Sequence, residues 1–194
     1  MPNTMKAMIK PHRGPGLIMT ERLVPEPGPD EVLVKVAAVS ICGTDLHIYN
    51  WDPWAASRIN PPVIVGHEVC GHIVATGNMV ADRKVGEFVS LESHVVCNAC
   101  VYCRTGRGHI CQNTRLIGVA RDGGFAEYIA IAAQNAWPNP PDLPLEIAVL
   151  QENFGNAVHT AFTVDLRARK VLVTGCGPVG IMTILVARAV GARA

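Results

Sequence analysis

The chain has 194 residues, with 17 Lys and Arg against 16 Asp and Glu, a formal net charge of +1, 49% apolar residues and 17% charged ones. That apolar share supports a packed core and excludes a disordered chain, while the scattered charge, without a like-sign run, argues against nucleic acid or an anionic membrane as partner and points to a small molecule. The opening MPNTMKAMIKPHRG lacks an apolar stretch behind a basic flank, and the longest uncharged run, Val171 to Ala187, contains Pro178 and three glycines and is shorter than the roughly 20 residues of a membrane helix, so a cytoplasmic location is expected.

From Met5 to about Leu150 the runs MKAMI, LIMTERL, EVLVKVAAVSI, EFVSL and FAEYIAI read as strands, separated by turn clusters such as PEPGPD and RDGG. Val32, Val34 and Val36 alternate with Leu33 and Lys35, the pattern of a strand with one buried face. After PNPPDLP the character changes. EIAVL and GNAVHTAFTVDL have helical spacing, RKVLVTG reads as a short buried strand, and an apolar helix follows the glycine turn. The expected organisation is mixed α/β, a mostly-β domain over residues 1–153 and the start of a second domain over 154–194.

Seven cysteines without a secretory signal favour metal or catalytic roles over disulfides. In CNACVYCRTGRGHIC, Cys97, Cys100, Cys103 and Cys111 follow C-x2-C-x2-C-x7-C, which lets one loop present four thiolates to a tetrahedral ion. Such closed four-cysteine sites are structural zinc sites. An iron–sulfur cluster is the competing reading, but its bacterial run has x3 and then Pro where this loop has x7 and then Gln112. Cys42 in SICGTDLH and His67 with Glu68 in VGHEVCGHIVATG supply the mixed donors of a catalytic zinc site. Each of them also has an ordinary reading, Cys42 as a buried thiol and His67-Glu68 as a surface pair. Cys70 and Cys176 read as packed thiols. His94 reads as a core histidine or as a group reaching the site, and Trp51 and Trp54 as pocket lining or loop anchors.

Gly175, Gly177 and Gly180 in GCGPVG give G-x-G-x-x-G between a strand-like run and an apolar helix, the context in which glycines admit a dinucleotide pyrophosphate to a helix N-terminus; Pro178 and Val179 complete the turn. The acidic residue that holds the adenosine ribose lies about 20 residues beyond such a motif.

G-H-E-x2-G-x5-G-x2-V from Gly66 to Val80, with CGTDLH, the four-cysteine loop and the glycine turn in that order, resembles the zinc-dependent medium-chain alcohol dehydrogenases. Within that family CGTDLHIYNWDPWA, SLESHVVCNACVYCRTGRGHIC and LQENFGNAVHTAF are most similar to its threonine-oxidising members, with polyol dehydrogenases as the nearest rival. The resemblance implies a GroES-like β domain followed by the first part of a Rossmann domain, and a homotetramer. It implies catalytic zinc on Cys42 and His67, with Glu68 and Glu152 supplying carboxylate ligation, and structural zinc on the four-cysteine loop. Thr44 would accept the substrate hydroxyl's proton and His47 would pass it to solvent through the cofactor ribose. NAD would take the hydride, and L-threonine would yield 2-amino-3-oxobutyrate. Asn153 stands where the family has Pro after the Glu, and Gly86-Glu87 where it has Gly-Asp. The sequence is expected to be the first part of a longer enzyme, inactive alone, the different-class alternative being a non-catalytic zinc-stabilised β module.

Overall fold

A computed structural model describes residues 2–193. The chain divides into two compact units, one up to Val149 and one from Leu150 onward. The first contains strands β1 (Thr4–Lys10), β2 (Ile18–Leu23), β3 (Glu31–Ser40), β4 (Val63–Ile64), β5 (Glu68–Thr76), β6 (Phe88–Leu91), β7 (His94–Val95), β8 (Arg115–Leu116), β9 (Tyr128–Ala132) and β10 (Ala136–Pro138). Four short helices punctuate them: α1 (Gly43–Asn50), α2 (Pro53–Arg58), α3 (Val101–Arg104) and α4 (Leu145–Ala148). The second unit holds α5 (Gln151–Ala161) and α6 (Pro178–Ala189), which pack on each other.

The main sheet has five antiparallel strands in the order β10-β6-β5-β3-β9, a smaller sheet runs β2-β1-β4, and β7 pairs with β8. Met8 N–H donates to Phe125 O at 2.8 Å and Ala7 bridges Ala126, so β1 runs against the segment that leads into β9 and joins the two sheets.

β3 differs from its expected one-sided pattern. Val32 and Val34 pack with Val69, Ile73 and Ile131 in one cluster, and Leu33, 1% exposed, packs with Met5, Ala7 and Ile9 in another. The strand is central in its sheet and the smaller sheet covers its second face, so both faces are buried. Each buried Val, Leu or Ile contributes roughly 1.5–3 kcal/mol.

The longest ladder in this unit was not anticipated as a strand pair. β5 runs through the GHE motif and pairs with β3 from Val32↔Thr76 to Ser40↔Glu68, with a bulge where Val36 opposes Gly71 and Ala38 opposes Cys70. The alternation in EVCGHIVAT is broken by Gly71, which hides the period of two.

Two expectations for the second unit fail. RKVLVTG is not a strand: Lys170 makes one parallel bridge to Arg193, and Leu172 is 87% exposed. A strand exists through its neighbours, and the described residues place only that bridge beside this run. The helix expected through Leu166 stops at Ala161, and Asp165 Oδ1 accepts from Arg167 N–H at 3.1 Å, a side-chain turn that competes with helix.

Candidate functional site

The register of β3 against β5 builds the first candidate site. Directly opposed residues in an antiparallel pair share a face, so the Ser40 hydroxyl meets the Glu68 carboxylate and donates to it. Two residues beyond Ser40 the chain turns into α1 at Cys42, and one residue before Glu68 lies His67. Their ligand atoms, a thiol sulfur, an imidazole nitrogen and a carboxylate oxygen, lie within 4.8 Å of one another. Gly66 sits at φ +89°, a left-handed backbone that a side chain would strain, and it turns the chain into this position.

Asp45 completes the arrangement, and nothing in the spacing of the motif marked it. Its Oδ2 accepts from Cys42 N–H at 2.9 Å, tying the start of α1, while Oδ1 lies 3.8 Å from His67 Nδ1. The carboxylate faces the ring beyond hydrogen-bond distance, from the side on which a carboxylate commonly partners a ligating histidine. Asp45, His67 and Glu68 are 3%, 5% and 3% exposed, and among the described residues no Lys or Arg pairs with either carboxylate. Burial pushes Asp45 above the usual carboxylate range, against the lowering effects of Cys42 N–H, His67 and Gly66 N–H. Two buried carboxylates and a half-buried thiol without a fixed cation form a donor set that a divalent ion fits.

Thr44 Oγ1 lies 3.8 Å from Cys42 Sγ. Cys42 is the N-cap of α1, so Thr44 occupies the first helical turn and is not a cap. His47, one turn later on the same face, places Nδ1 2.5 Å from Asp52 Oδ2, and its ring centroid is 6.0 Å from that of Trp54. Trp51 ends α1 in a left-handed conformation, with Lys10 Nζ 5.2 Å over its ring. His94 is not a core histidine: its side chain is 48% exposed and its Nδ1 is 2.7 Å from Glu92 Oε1.

The four-cysteine loop hangs between β7 and β8. Its sulfur pairs lie 3.5 Å apart for Cys100 to Cys103 and for Cys111 to Cys97, 3.9 Å for Cys100 to Cys111 and 4.0 Å for Cys97 to Cys103. Four thiolates about 2.3 Å from one tetrahedral ion stand about 3.8 Å from each other, so the cluster has the dimensions of a zinc site. Backbone N–H groups of Cys100 and Asn113 donate to Cys97 and Cys111 sulfurs at 3.4 and 3.3 Å. Hydrogen bonds from Ala99, Cys100 and Asn113 bring the Cys97 thiol down to about 6, while burial and the neighbouring thiols push Cys103 up to about 12. Cys70 is a packed thiol as expected, but Cys176 is exposed.

In the second unit, Gly177 is the N-cap of α6 and Pro178 its first residue. Gly175 has φ +96°, a Cβ on Gly177 would meet nothing within 4 Å, and one on Gly180 would lie 2.2 Å from Gly175 O. The three glycines thus serve turn, open approach and close helix packing in that order, the cradle a pyrophosphate fits. With Val179 they line a cleft of about 660 Å³. Glu152 lies in the first turn of α5, where its carboxylate accepts from Asn156 Nδ2 at 3.1 Å. Asn153 is in the same turn, where a backbone N–H has no intrahelical acceptor and Pro would also fit.

Residues 28–141 match the sequence model of the alcohol dehydrogenase GroES-like domain, and the chain belongs to that family. It is 54% identical over 193 residues to L-threonine 3-dehydrogenase of Symbiobacterium thermophilum, covering 100% of this chain and 55% of that protein. A protein named a zinc-binding dehydrogenase from Sinorhizobium meliloti 1021, solved bound to NADP, superposes with a TM-score of 0.89 at 35% identity, over 98% of this chain and 55% of that one. An alcohol dehydrogenase of E. coli CFT073, complexed with NADH, gives 0.88 at 34% identity, over 97% and 54%. The chain therefore spans about half the length of the curated relatives it matches. No helix among the described residues is long and apolar enough to cross a membrane.

Proposed function

We propose that this chain carries the metal-binding half of an NAD-linked, zinc-dependent dehydrogenase that oxidises a secondary alcohol, L-threonine to 2-amino-3-oxobutyrate. The observation that carries the reading is the convergence of Cys42, His67 and Glu68 within 4.8 Å, with the Thr44 hydroxyl 3.8 Å from the Cys42 sulfur. Cys42, His67 and Glu68 would hold the catalytic zinc, with Glu152 exchanging as the resemblance implies, and Cys97, Cys100, Cys103 and Cys111 the structural one. When bound, the catalytic ion supplies Lewis-acid stabilisation of negative charge on the substrate oxygen, and NAD supplies the hydride acceptor.

The chain's own residues do the rest. Thr44 Oγ1 takes the hydrogen bond of the substrate hydroxyl and passes its proton on, and His47, a turn further along α1, receives it. Asp45 would steer the His67 ring from its Nδ1 side, and Ser40 keeps the Glu68 carboxylate in place. Gly177 and the first turn of α6 would take the cofactor's pyrophosphate beside Gly175, Pro178, Val179 and Gly180. The threonine assignment is supported by the relatives' names.

The test is NADH formation from L-threonine, sorbitol and a simple secondary alcohol by the protein isolated from its own cells, at whatever length it occurs there. Threonine is expected to be the best substrate. Turnover of sorbitol without threonine would make the protein a polyol dehydrogenase, and none with any alcohol would leave a zinc-stabilised β module.

A further inference from the structure

We infer that Asp52 is a positioning residue that decides which ring nitrogen of His47 is free to take a proton. The inference deepens the functional reading above and rests on His47 being the proton acceptor. Trp51, at φ 55°, ends α1 and turns the chain so that Asp52 folds back onto the last turn, with its N–H 3.4 Å from His47 O. Lys10, fully buried, anchors that turn: its Nζ donates to Gly14 O, Gly16 O and Tyr49 O at 2.5, 2.7 and 3.4 Å.

Both carboxylate oxygens of Asp52 are committed. Oδ1 accepts from Ala55 N–H at 2.9 Å, capping α2, and Oδ2 lies 2.5 Å from His47 Nδ1. A carboxylate only accepts, and the Ala55 N–H, outweighing desolvation and helped by the His47 ring, holds Asp52 below the usual carboxylate range. The proton of the shared bond therefore sits on Nδ1, and in the neutral ring the lone pair is on Nε2. A free histidine side chain in water favours the other tautomer, with Nε2 protonated and unable to accept. The His47 side chain is 57% exposed, so Nε2 is open to an incoming proton.

The two jobs of Asp52 are separable. Asp52→Asn keeps size and cap, but its oxygen is claimed by Ala55 N–H, so its amide NH2 faces His47 Nδ1 and imposes the Nε2-protonated form. Asp52→Ser also caps α2 but is too short to reach the ring. Nitrogen-15 NMR of the neutral His47 ring is expected to show Nδ1 protonated in the native chain, Nε2 protonated in Asp52→Asn, and the free-histidine preference in Asp52→Ser. Amide shifts of residues 53–58 report that α2 persists. In the natural-length protein, Asp52→Asn is expected to lower kcat roughly tenfold or more, with KM within about twofold, and to cause no further loss on top of His47→Gln. Nε2 protonated in the native chain, or a tautomer unchanged by Asp52→Asn, would overturn the inference. A native protein that oxidises no alcohol would sink the functional reading alone, because the ring spectra still decide which nitrogen Asp52 leaves open.

Discussion

The two cysteine-bearing clusters in the first unit are assembled in opposite ways. Cys97, Cys100, Cys103 and Cys111 come from one 15-residue stretch closed by turns, with no core of its own and three of the four sulfurs on half-buried residues. Cys42, His67 and Glu68 come from the ends of two strands and are brought together by a ladder of eight opposed residue pairs backed by buried Val and Ile. A site held by turns needs its ion to stay closed, whereas a site held by a sheet register is formed before any ion arrives. The metal should act as a folding agent in the loop and as a bound reagent beside the main sheet.

The largest effect should separate the two on that ground. Cys100→Ser is expected to remove one zinc per chain and lower the melting temperature by ten degrees or more, because structural zinc binding is folding free energy, worth on the order of 10 kcal/mol in small metal-dependent domains. Cys42→Ser should remove the other zinc and leave melting nearly unchanged. Equal destabilisation by the two replacements, read by metal analysis and calorimetry, would abolish the distinction.

The register can be attacked without touching a ligand. A Cβ on Gly71 would stand 2.2 Å from Lys35 O, at the bulge where β3 and β5 draw close, so Gly71→Ala must push the strands apart. Overpacking of this kind costs about 1–3 kcal/mol, and zinc should be lost from the Cys42 site while the loop keeps its own. Gly43→Ala is the control, since a Cβ there meets nothing within 4 Å. Urea melts with zinc counted per chain check both.

The same contrast explains what could be read from the amino acids. The clustering of the four cysteines was legible because they and their geometry share one short stretch, so the spacing C-x2-C-x2-C-x7-C already brings the thiols together. Cys42, His67 and Glu68 could be read as a donor set from their residue types but not tied together by spacing, because what unites them is a strand pairing that Gly71 conceals. Asp45 was missed altogether: in CGTDLH it reads as an ordinary first-turn helix acid, and only the fold shows it buried against His67. RKVLVTG misled for the converse reason, since its apolar run carries the composition of a central strand but the described residues give it a single bridge. The glycine turn, like the loop, was legible because its three glycines act on their own backbone.

Asp45 gives a smaller and more local test. If it orients His67 from outside the ligand set, Asp45→Asn should weaken zinc at the Cys42 site by about 10–100-fold, the usual range for such partners, and leave the loop's zinc untouched. Competition with a chromophoric chelator would measure this. An unchanged affinity would reduce Asp45 to a helix-capping residue.

The smallest expected effect concerns the neck that joins the loop to the main sheet. Glu92 pairs with the His94 ring at 2.7 Å and takes the His94 N–H at 2.8 Å, while Asn135 Nδ2 donates to both Glu92 O and His94 O at 2.9 Å. Burial alone would raise the Glu92 carboxyl, but the hydrogen bonds from His94 outweigh it and leave it below its ordinary range. A carboxyl depressed in the folded state contributes stability that is fully present above its unfolded pKa of about 4.3 and is lost as pH falls through the folded value. The stability difference between the native chain and Glu92→Gln should therefore shrink steadily as pH falls below about 4. Because Asn135 ties this neck to the strand side, the difference should survive removal of zinc from the loop. A difference that is the same at low and neutral pH would show that Glu92 contributes packing alone, and one that vanishes with the zinc would assign the neck to the loop.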